Sequence, residues 1–125
     1  MHGAARDWLQ QTLDGSEDVR VGLVTLLAFV RIATNSRVFV KPLDLRQAVA
    51  TVTEWLSLPN FHVAEPTERH WSILADVATK GQVRGPATMD AHLAALAIEH
   101  GARLATTDRG FARYRGLRWF DPLAS

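Results

Sequence analysis

Two aspartates in the last third of the chain lie at positions where ligands usually bind in α/β folds. Asp90 lies in the first turn of a predicted helix that follows a loop, and Asp108 follows the segment Leu104-Ala105-Thr106-Thr107, in which a strand is predicted to end. In open α/β sheets, ligands bind in the crevice outside the carboxyl ends of the strands. Two carboxylates near one point suit Mg²⁺ or Mn²⁺, both of which prefer oxygen ligands. We therefore consider Asp90 and Asp108 as candidate metal ligands.

The chemistry of such a site would be hydrolytic. A divalent cation held by two carboxylates can generate a hydroxide nucleophile and stabilise the charge that develops on a phosphodiester. An alternative stays open for each acid, because a first-turn aspartate is more often a helix cap or a partner of the helix dipole than a ligand. The spacing alone does not show that the two side chains meet.

Length and composition limit the class of protein. The chain has 125 residues, of which 47% are hydrophobic and 22% charged, and we expect a single domain over residues 1–125. No cysteine is present, so disulfides and thiolate metal sites are excluded, and we expect a cytoplasmic protein. The formal net charge of +1 is too near neutral to indicate nucleic-acid binding from bulk charge. The most apolar run, residues 21–30, is too short to span a membrane and is predicted to belong to the core.

Hydrophobic periodicity predicts helices that alternate with short strands, which is typical of an α/β fold with a parallel sheet. The clearest helix covers residues 45–56, with Asp44 as its N-cap. A later helix is predicted over residues 68–80, with Thr67 as its N-cap and Trp71 facing inward. The alanines of the helix over residues 90–100 indicate close packing on several sides. The remaining predictions are a helix at 4–13, a strand at 19–24 that passes into a helix ending near Asn35, strands at 61–64, 103–106 and 117–120, and a short helix at 108–114.

Two motifs give the chain a specific resemblance. Residues 90–95 read D-A-H-L-A-A, and after a predicted strand residues 106–111 read T-T-D-R-G-F. This order is similar to that of PIN-domain toxins of the VapC type, whose C-terminal part has D-A-x-x-A-A, a strand and then T-x-D-x-x-F. The segment at residues 27–35, L-A-F-V-R-I-A-T-N, also resembles the second motif of that family.

The resemblance implies both a fold and an activity. The fold would be a PIN-like three-layer α/β/α sandwich with a mostly parallel sheet. The activity would be a Mg²⁺-dependent endoribonuclease, with Mn²⁺ as a possible substitute, acting as the toxin of a toxin-antitoxin pair. Its partners would be a VapB-like antitoxin, an RNA substrate and a second copy of the chain. Asp90 and Asp108 would be the catalytic, metal-binding acids, and Thr106 would help to orient them. The alternative is a catalytically inactive PIN remnant that only binds an antitoxin or RNA.

Three positions depart from the family pattern. The family opens with a strand that carries its first metal-binding aspartate, and this chain has no counterpart of either, so we expect a sheet without its first, central strand. We accordingly expect that Met1 lies downstream of the native start, or that the chain is a decayed or truncated copy. Ala28 stands where many relatives have a glutamate, and Gly110 stands where many have a second aspartate.

Several cationic side chains are candidates for supporting roles. Arg31 lies on a largely apolar helix, where a buried arginine needs a partner, so we expect it to orient one of the acids. Arg84, Arg109 and Arg113 are candidates for phosphate contact, since local arginine clusters position nucleic-acid backbones; the alternative is a solvated surface. His92 is a candidate RNA contact beside Asp90, although a structural histidine is the more common outcome.

Overall fold

The computed structural model describes residues 2–124. By its internal contacts the chain divides into two compact units, an N-terminal unit of residues Leu9–Ala64 and a C-terminal unit of residues Met1–Trp8 and Glu65–Ser125. The prediction of one domain over residues 1–125 stays a prediction. The elements in chain order are α1 (His2–Asp14), β1 (Val19–Gly22), α2 (Leu23–Ala33), α3 (Leu45–Leu56), β2 (Phe61–Ala64), α4 (His70–Lys80), a 3-10 helix (Gly85–Ala87), α5 (Thr88–Glu99), β3 (Leu104–Ala105), a 3-10 helix (Arg109–Arg113) and β4 (Trp119–Phe120).

The N-terminal unit is built around a parallel pair of strands. β1 lies parallel to β2 with Val19 opposite Phe61, as the predicted parallel pairing requires. Leu13, Leu26 and Phe61 form its buried cluster. The Asn60 side-chain amide fastens the turn before β1, since its Nδ2 lies 3.3, 3.2 and 3.0 Å from the carbonyl oxygens of Leu13, Gly15 and Glu17.

Helix α3 has the predicted bounds, and its start is specified by residues close to each other in sequence. Asp44 accepts a hydrogen bond from the Gln47 backbone N–H at 2.8 Å, and the Asp44 backbone N–H donates to the Gln47 side chain at 3.0 Å. This reciprocal capping box satisfies two backbone donors that a helix otherwise leaves unpaired.

The prediction that the apolar run at residues 21–30 is a core segment is confirmed only for part of the run. Leu23 and Leu27 are both 58% exposed, whereas Leu26 is buried. A helix begins at Leu23, and its 3.6-residue period turns only part of the run inward.

The C-terminal unit has its core where α4 packs against α5. Ala91, Ala94 and Ala95 of α5 have no exposed surface, which confirms the close packing that the alanines predicted. Val77, Phe111 and Tyr114 complete the buried cluster. β3 and β4 form a second parallel pair, with Leu104 opposite Trp119. Gly101, predicted to end α5, has a φ of +64° and ends the helix in the left-handed region that glycine accepts most readily.

Helix α4 differs from its prediction in start and in facing. It begins at His70 instead of residue 68, and Thr67 caps it only indirectly by accepting from the Arg69 backbone N–H at 3.2 Å. Trp71, predicted to face inward, is 75% exposed, and His70 is the buried residue instead. The reason is long-range, because Glu99 and His92 supply hydrogen-bond partners for the His70 ring. Within residues 2–124 no helix is long and apolar enough to cross a membrane.

Candidate active site

Asp90 lies in the first turn of α5 and is half-buried. The helix has no side-chain N-cap bond, since Ala87 occupies the cap position. In the described part of the chain no hydrogen bond or ion pair engages the Asp90 carboxylate. The positive end of the helix dipole favours a negative charge at this position. Asp90 is thus an ionisable oxygen donor with free capacity for a ligand.

Asp108 is held by the turn that follows β3. Its backbone N–H donates to Thr106 Oγ1 at 3.1 Å, and its own Oδ1 accepts from the Gly110 backbone N–H at 2.7 Å. Asp108 is therefore the N-cap of the 3-10 helix Arg109–Arg113, which is the structural role that the sequence left open. A side chain at Gly110 would crowd this arrangement, because a Cβ there would lie 3.0 Å from Oδ1. The second carboxylate oxygen, Oδ2, stays available to a ligand.

Tyr114 is a buried residue of the C-terminal unit that the sequence analysis did not single out. Burial, then the charges of Asp90 and Asp108, raise the pKa of the Tyr114 hydroxyl above its ordinary value of 10.0, while the charge of Arg113 opposes the rise. The charges of both carboxylates therefore influence the same phenol. A signal was present in the sequence: Tyr114 follows Phe111 by three residues, the spacing that puts both rings on one face of a 3-10 helix.

The donor set fits a weakly held, hydrated divalent cation. Mg²⁺ usually takes one or two protein carboxylates and completes its shell with waters and substrate phosphates. Asp90 and Oδ2 of Asp108 supply oxygen donors of this kind. Among the described residues, no group of three or more histidine, cysteine, aspartate or glutamate side chains is arranged to hold a metal ion. Any cation at this site would therefore depend on two protein ligands.

The arginine side chains predicted to support the site lie in different parts of the chain. Arg84, Arg109 and Arg113 are all exposed in the C-terminal unit, and the charge of Arg113 influences the pKa of Tyr114. Arg31 is exposed on α2 of the N-terminal unit, so the burial from which its role was inferred is absent, and the orienting role itself stays a prediction.

His92 has a partner of its own. Its Nδ1 lies 2.9 Å from His70 Nε2, and His70 Nδ1 lies 2.6 Å from Glu99 Oε2. Burial and the neighbouring His70 lower the pKa of His92 below 6.5, although the charge of Glu99 opposes this. His92 stands about 200° around α5 from Asp90, because successive residues of an α-helix are about 100° apart. The structure thus brings His92 together with α4, and its expected contact with RNA stays a prediction.

Comparison with known proteins gives consistent matches. The model of the PIN domain family matches residues 1–117. Ribonuclease VapC37 of Mycobacterium tuberculosis is 41% identical to this chain over 98% of its length and 85% of the relative's. Ribonuclease VapC33 of the same species is 38% identical, again over 98% of this chain and 85% of the relative.

A solved structure is also similar to this chain. It is the crystal structure of VapBC2 from Rickettsia felis bound to a DNA fragment from their promoter, which matches with a TM-score of 0.66 over 94% of this chain and 84% of that chain. At 16% sequence identity this likeness shows a shared fold, and it confirms the predicted α/β class.

Proposed function

The chain belongs to the PIN-domain family and is similar to VapC ribonucleases, and from that premise we propose that it is the toxin of a toxin-antitoxin pair, a metal-dependent endoribonuclease. The observation that carries the proposal is that Asp90, without a hydrogen bond in the first turn of α5, and Asp108, the cap of the 3-10 helix after β3, belong to one unit of a chain that matches the PIN-domain family. Mg²⁺ usually takes one or two protein carboxylates and completes its shell with waters and substrate phosphates.

The roles of the side chains follow from their positions. Asp90 and Asp108 would hold Mg²⁺, or Mn²⁺ in its place, and Thr106 would fix the backbone of Asp108 through the bond at 3.1 Å. When bound, the cation would lower the pKa of a coordinated water and offset charge on the phosphodiester. Arg113, and with it the exposed Arg109 and Arg84, would contact phosphates of the RNA.

We further propose a VapB-like antitoxin as the partner. The similar Rickettsia structure is a VapBC complex, and the relatives are named as VapC proteins. The N-terminal unit supports this, because α2 exposes Leu23 and Leu27 and α3 exposes Leu45 and Val49, at 58%, 58%, 63% and 48%. Leu23 and Leu27, and likewise Leu45 and Val49, are four residues apart and so share one face of their helix, and a contiguous exposed apolar patch marks an interaction site. Homodimerisation and a cytoplasmic location belong to the same proposal, and light scattering of the chain with and without antitoxin would measure the assembly.

One observation favours a second candidate function, an inactive module that only binds. The described part of the chain offers no third carboxylate or histidine for the cation, and Ala28 and Gly110 stand where relatives are expected to carry acids. Two ligands would bind Mg²⁺ weakly, so a protein of this kind could still bind an antitoxin without cleaving RNA.

Metal titration combined with RNA cleavage separates the two candidates. The wild-type chain and Asp90→Asn would be compared at increasing Mg²⁺, with Asp76→Asn as the matched control, since Asp76 is exposed and pairs with Lys80 at 3.0 Å on α4. We expect wild type and the control to cleave, and Asp90→Asn to lose more than about a hundredfold in rate, because even partners of metal ligands contribute 10- to 100-fold.

The outcomes are distinct. Cleavage that survives in Asp90→Asn would contradict the assignment of the site. Antitoxin binding without any cleavage by wild type, at any Mg²⁺ or Mn²⁺ concentration, would establish the binding module instead. A chain extended upstream of Met1 should be tested alongside, because cleavage by that form alone would show that a further ligand is needed.

A further inference from the structure

The loop between α2 and α3, residues 34–44, exposes apolar side chains at its tip. Val38 is 54%, Phe39 37% and Val40 100% exposed. Single exposed apolar residues are common on protein surfaces, whereas a run of three or more is a defect unless it has a function. These three consecutive side chains therefore mark the loop as a candidate binding surface.

The backbone of this loop is fixed by hydrogen bonds. Asn35 Oδ1 accepts from the Arg37 backbone N–H at 2.9 Å, and the Asn35 carbonyl oxygen accepts from the Phe39 backbone N–H at 3.2 Å. The Leu43 backbone N–H donates to the Ala33 carbonyl oxygen at 2.9 Å and closes the base of the loop. The tip is thus presented in a defined conformation, and a partner that binds it has less backbone to order.

The same stretch of chain is rich in cations. All four basic side chains of residues 31–46 are exposed, namely Arg31, Arg37, Lys41 and Arg46. In the described part of the chain no ion pair engages any of them. The one acid of the stretch, Asp44, accepts from the Gln47 backbone N–H at 2.8 Å as the cap of α3. With four positive charges and one negative charge, the stretch has a net charge of +3 and suits an anionic partner.

The order of residues at the tip favours RNA as that partner. Phe39 lies two residues after Arg37 and two residues before Lys41. Proteins that bind single-stranded nucleic acids combine cations that follow the backbone with aromatic side chains on which bases stack. Protein–protein interfaces, by contrast, are depleted in lysine, and a partner protein would have to desolvate both cations. A single-stranded RNA offers a base to the ring and a phosphate to each cation.

The candidate active site gives a further reason for a separate cationic contact. The carboxylates of Asp90 and Asp108 repel a phosphodiester, and the formal net charge of +1 over the whole sequence provides little attraction. The affinity for RNA therefore has to come from local groups of cations, as in the loop.

We propose that the loop of residues 34–44 binds single-stranded RNA, with the Phe39 ring stacked on a base and with Arg37 and Lys41 on neighbouring phosphates. This inference rests on the proposed function, which makes RNA the substrate. The loop belongs to the N-terminal unit, whereas Asp90 and Asp108 belong to the C-terminal unit. It contributes affinity and takes no part in breaking the phosphodiester bond. Because every base has a face on which a ring can stack, the contact tolerates different sequences.

The first test measures how RNA affinity depends on salt. Fluorescence anisotropy follows the binding of a fluorescein-labelled oligouridine to the full chain, with a chelator present so that nothing is cleaved. For single strands, each phosphate contact contributes about 0.7 to the slope of log affinity against log salt concentration. We expect Arg37→Gln and Lys41→Gln each to weaken binding and to reduce the slope by about 0.7.

Arg20→Gln is the matched control for these two variants. Arg20 is exposed in the same unit but precedes α2, whereas the loop follows α2, a helix about 16 Å long. Arg20→Gln should therefore leave the slope unchanged.

The second test concerns the stacking contact and uses the same assay. Phe39→Leu keeps an apolar side chain without an aromatic face, and we expect it to weaken binding at least about fivefold, the lower end of the range for one stacked base. Phe39→Trp keeps an aromatic face and should bind within about twofold of wild type. Val40→Ala removes exposed apolar surface at the same tip but no ring, and it should leave the affinity unchanged. Circular dichroism checks that the variants fold, and the changes at the exposed Arg37 and Lys41 keep the test decisive if Phe39→Leu does not.

The failures can be told apart. If wild type binds RNA and Phe39→Leu binds it equally well, or if Arg37→Gln and Arg20→Gln reduce the slope alike, the loop site is overturned while the proposed function stands. If the loop variants lose affinity for a VapB-like antitoxin and keep their affinity for RNA, the loop is a protein interface, and the proposal is likewise overturned. If wild type neither binds nor cleaves any RNA, the proposed function is overturned, and the loop site with it.

Discussion

The Glu99 carboxylate is a buried charge whose removal should be costly. Its side chain has no exposed surface, and its oxygens accept from the Thr67 backbone N–H at 2.7 Å and from His70 Nδ1 at 2.6 Å. A hydrogen bond to a charged group contributes roughly 1.5–3 kcal/mol. Glu99→Gln keeps the shape and one acceptor, so we expect the free energy of unfolding to fall by about 2–3 kcal/mol at neutral pH. Glu99→Ala leaves both donors unpaired and should cost about 3–5 kcal/mol.

The pH dependence of this loss has a definite sign. Burial alone would raise the pKa of Glu99, but the hydrogen bonds from Thr67 and His70 and the charges of His70 and His100 hold it below 4.5. Because the folded state has the lower pKa, the stabilisation is complete above pH 4.5 and is lost as the pH falls through the folded pKa. The Glu99→Gln variant has no carboxylate at this position, so its stability does not change through this protonation. The free energies of unfolding of wild type and Glu99→Gln should therefore converge at acidic pH.

Urea unfolding followed by tryptophan fluorescence measures both quantities. Glu68→Gln is the matched control, since Glu68 is exposed and its replacement should change stability by less than about 0.5 kcal/mol. A loss below about 1 kcal/mol in Glu99→Gln, or a difference from wild type that persists in acid, would refute the reasoning.

Three further changes test other contacts. Gly81→Ala would put a Cβ 2.9 Å from a carbonyl oxygen of α4 and 3.1 Å from the Tyr114 ring, so unfolding should become easier by about 1–3 kcal/mol and RNA cleavage slower. Asn60→Ala removes the amide that bonds to three carbonyls and should cost about 1–2 kcal/mol in a urea titration. Because His92 has a folded-state pKa below 6.5, the stability of wild type should rise as the pH increases toward 6.5, and His92→Gln should flatten that rise.

Each of these changes has a contradicting result. Gly15→Ala is the control for Gly81→Ala, because a Cβ there meets only ordinary contacts at 3.4 and 3.5 Å; equal losses would show that Gly81 is not crowded. An Asn60→Ala variant as stable as wild type would mean that water replaces the amide. A pH profile unaltered by His92→Gln would assign the titration to another group.

The parts of the fold that were predictable from sequence are those specified locally. The capping box at Asp44 and Gln47 lies within four residues, and α3 has the predicted bounds. Gly101 ends α5 because a left-handed residue there favours glycine, which depends on no distant contact. The alanines of α5 predicted close packing because the neighbouring Leu93, Leu96 and Ile98 favour burial over helix propensity alone as the explanation.

The parts that were missed depend on partners far away in the chain. Trp71 is more hydrophobic than His70, yet His70 is buried because Glu99 and His92, 29 and 22 residues away, complete its hydrogen bonds. Asp90 and Asp108 were recognisable by type and spacing, but the burial of Tyr114 depends on packing against Ala91 and Ala94 of α5, more than 15 residues earlier in the chain. The exposure of Leu23 was also missed, because the residue at which α2 begins decides which side chains of the apolar run face the core.

The buried alanines of α5 also bear on how this chain can evolve. Ala91, Ala94 and Ala95 have no exposed surface, and each has a single methyl group as its side chain. Glycine would cost about 1 kcal/mol in helix propensity, and anything larger would push α5 away from its neighbours. Neutral drift should therefore be slow along this face of the helix and faster at its exposed positions, such as Met89 at 50% exposure. The packing of α5 next to Asp90 should therefore be retained while other positions of the chain change, including positions that determine what the protein binds.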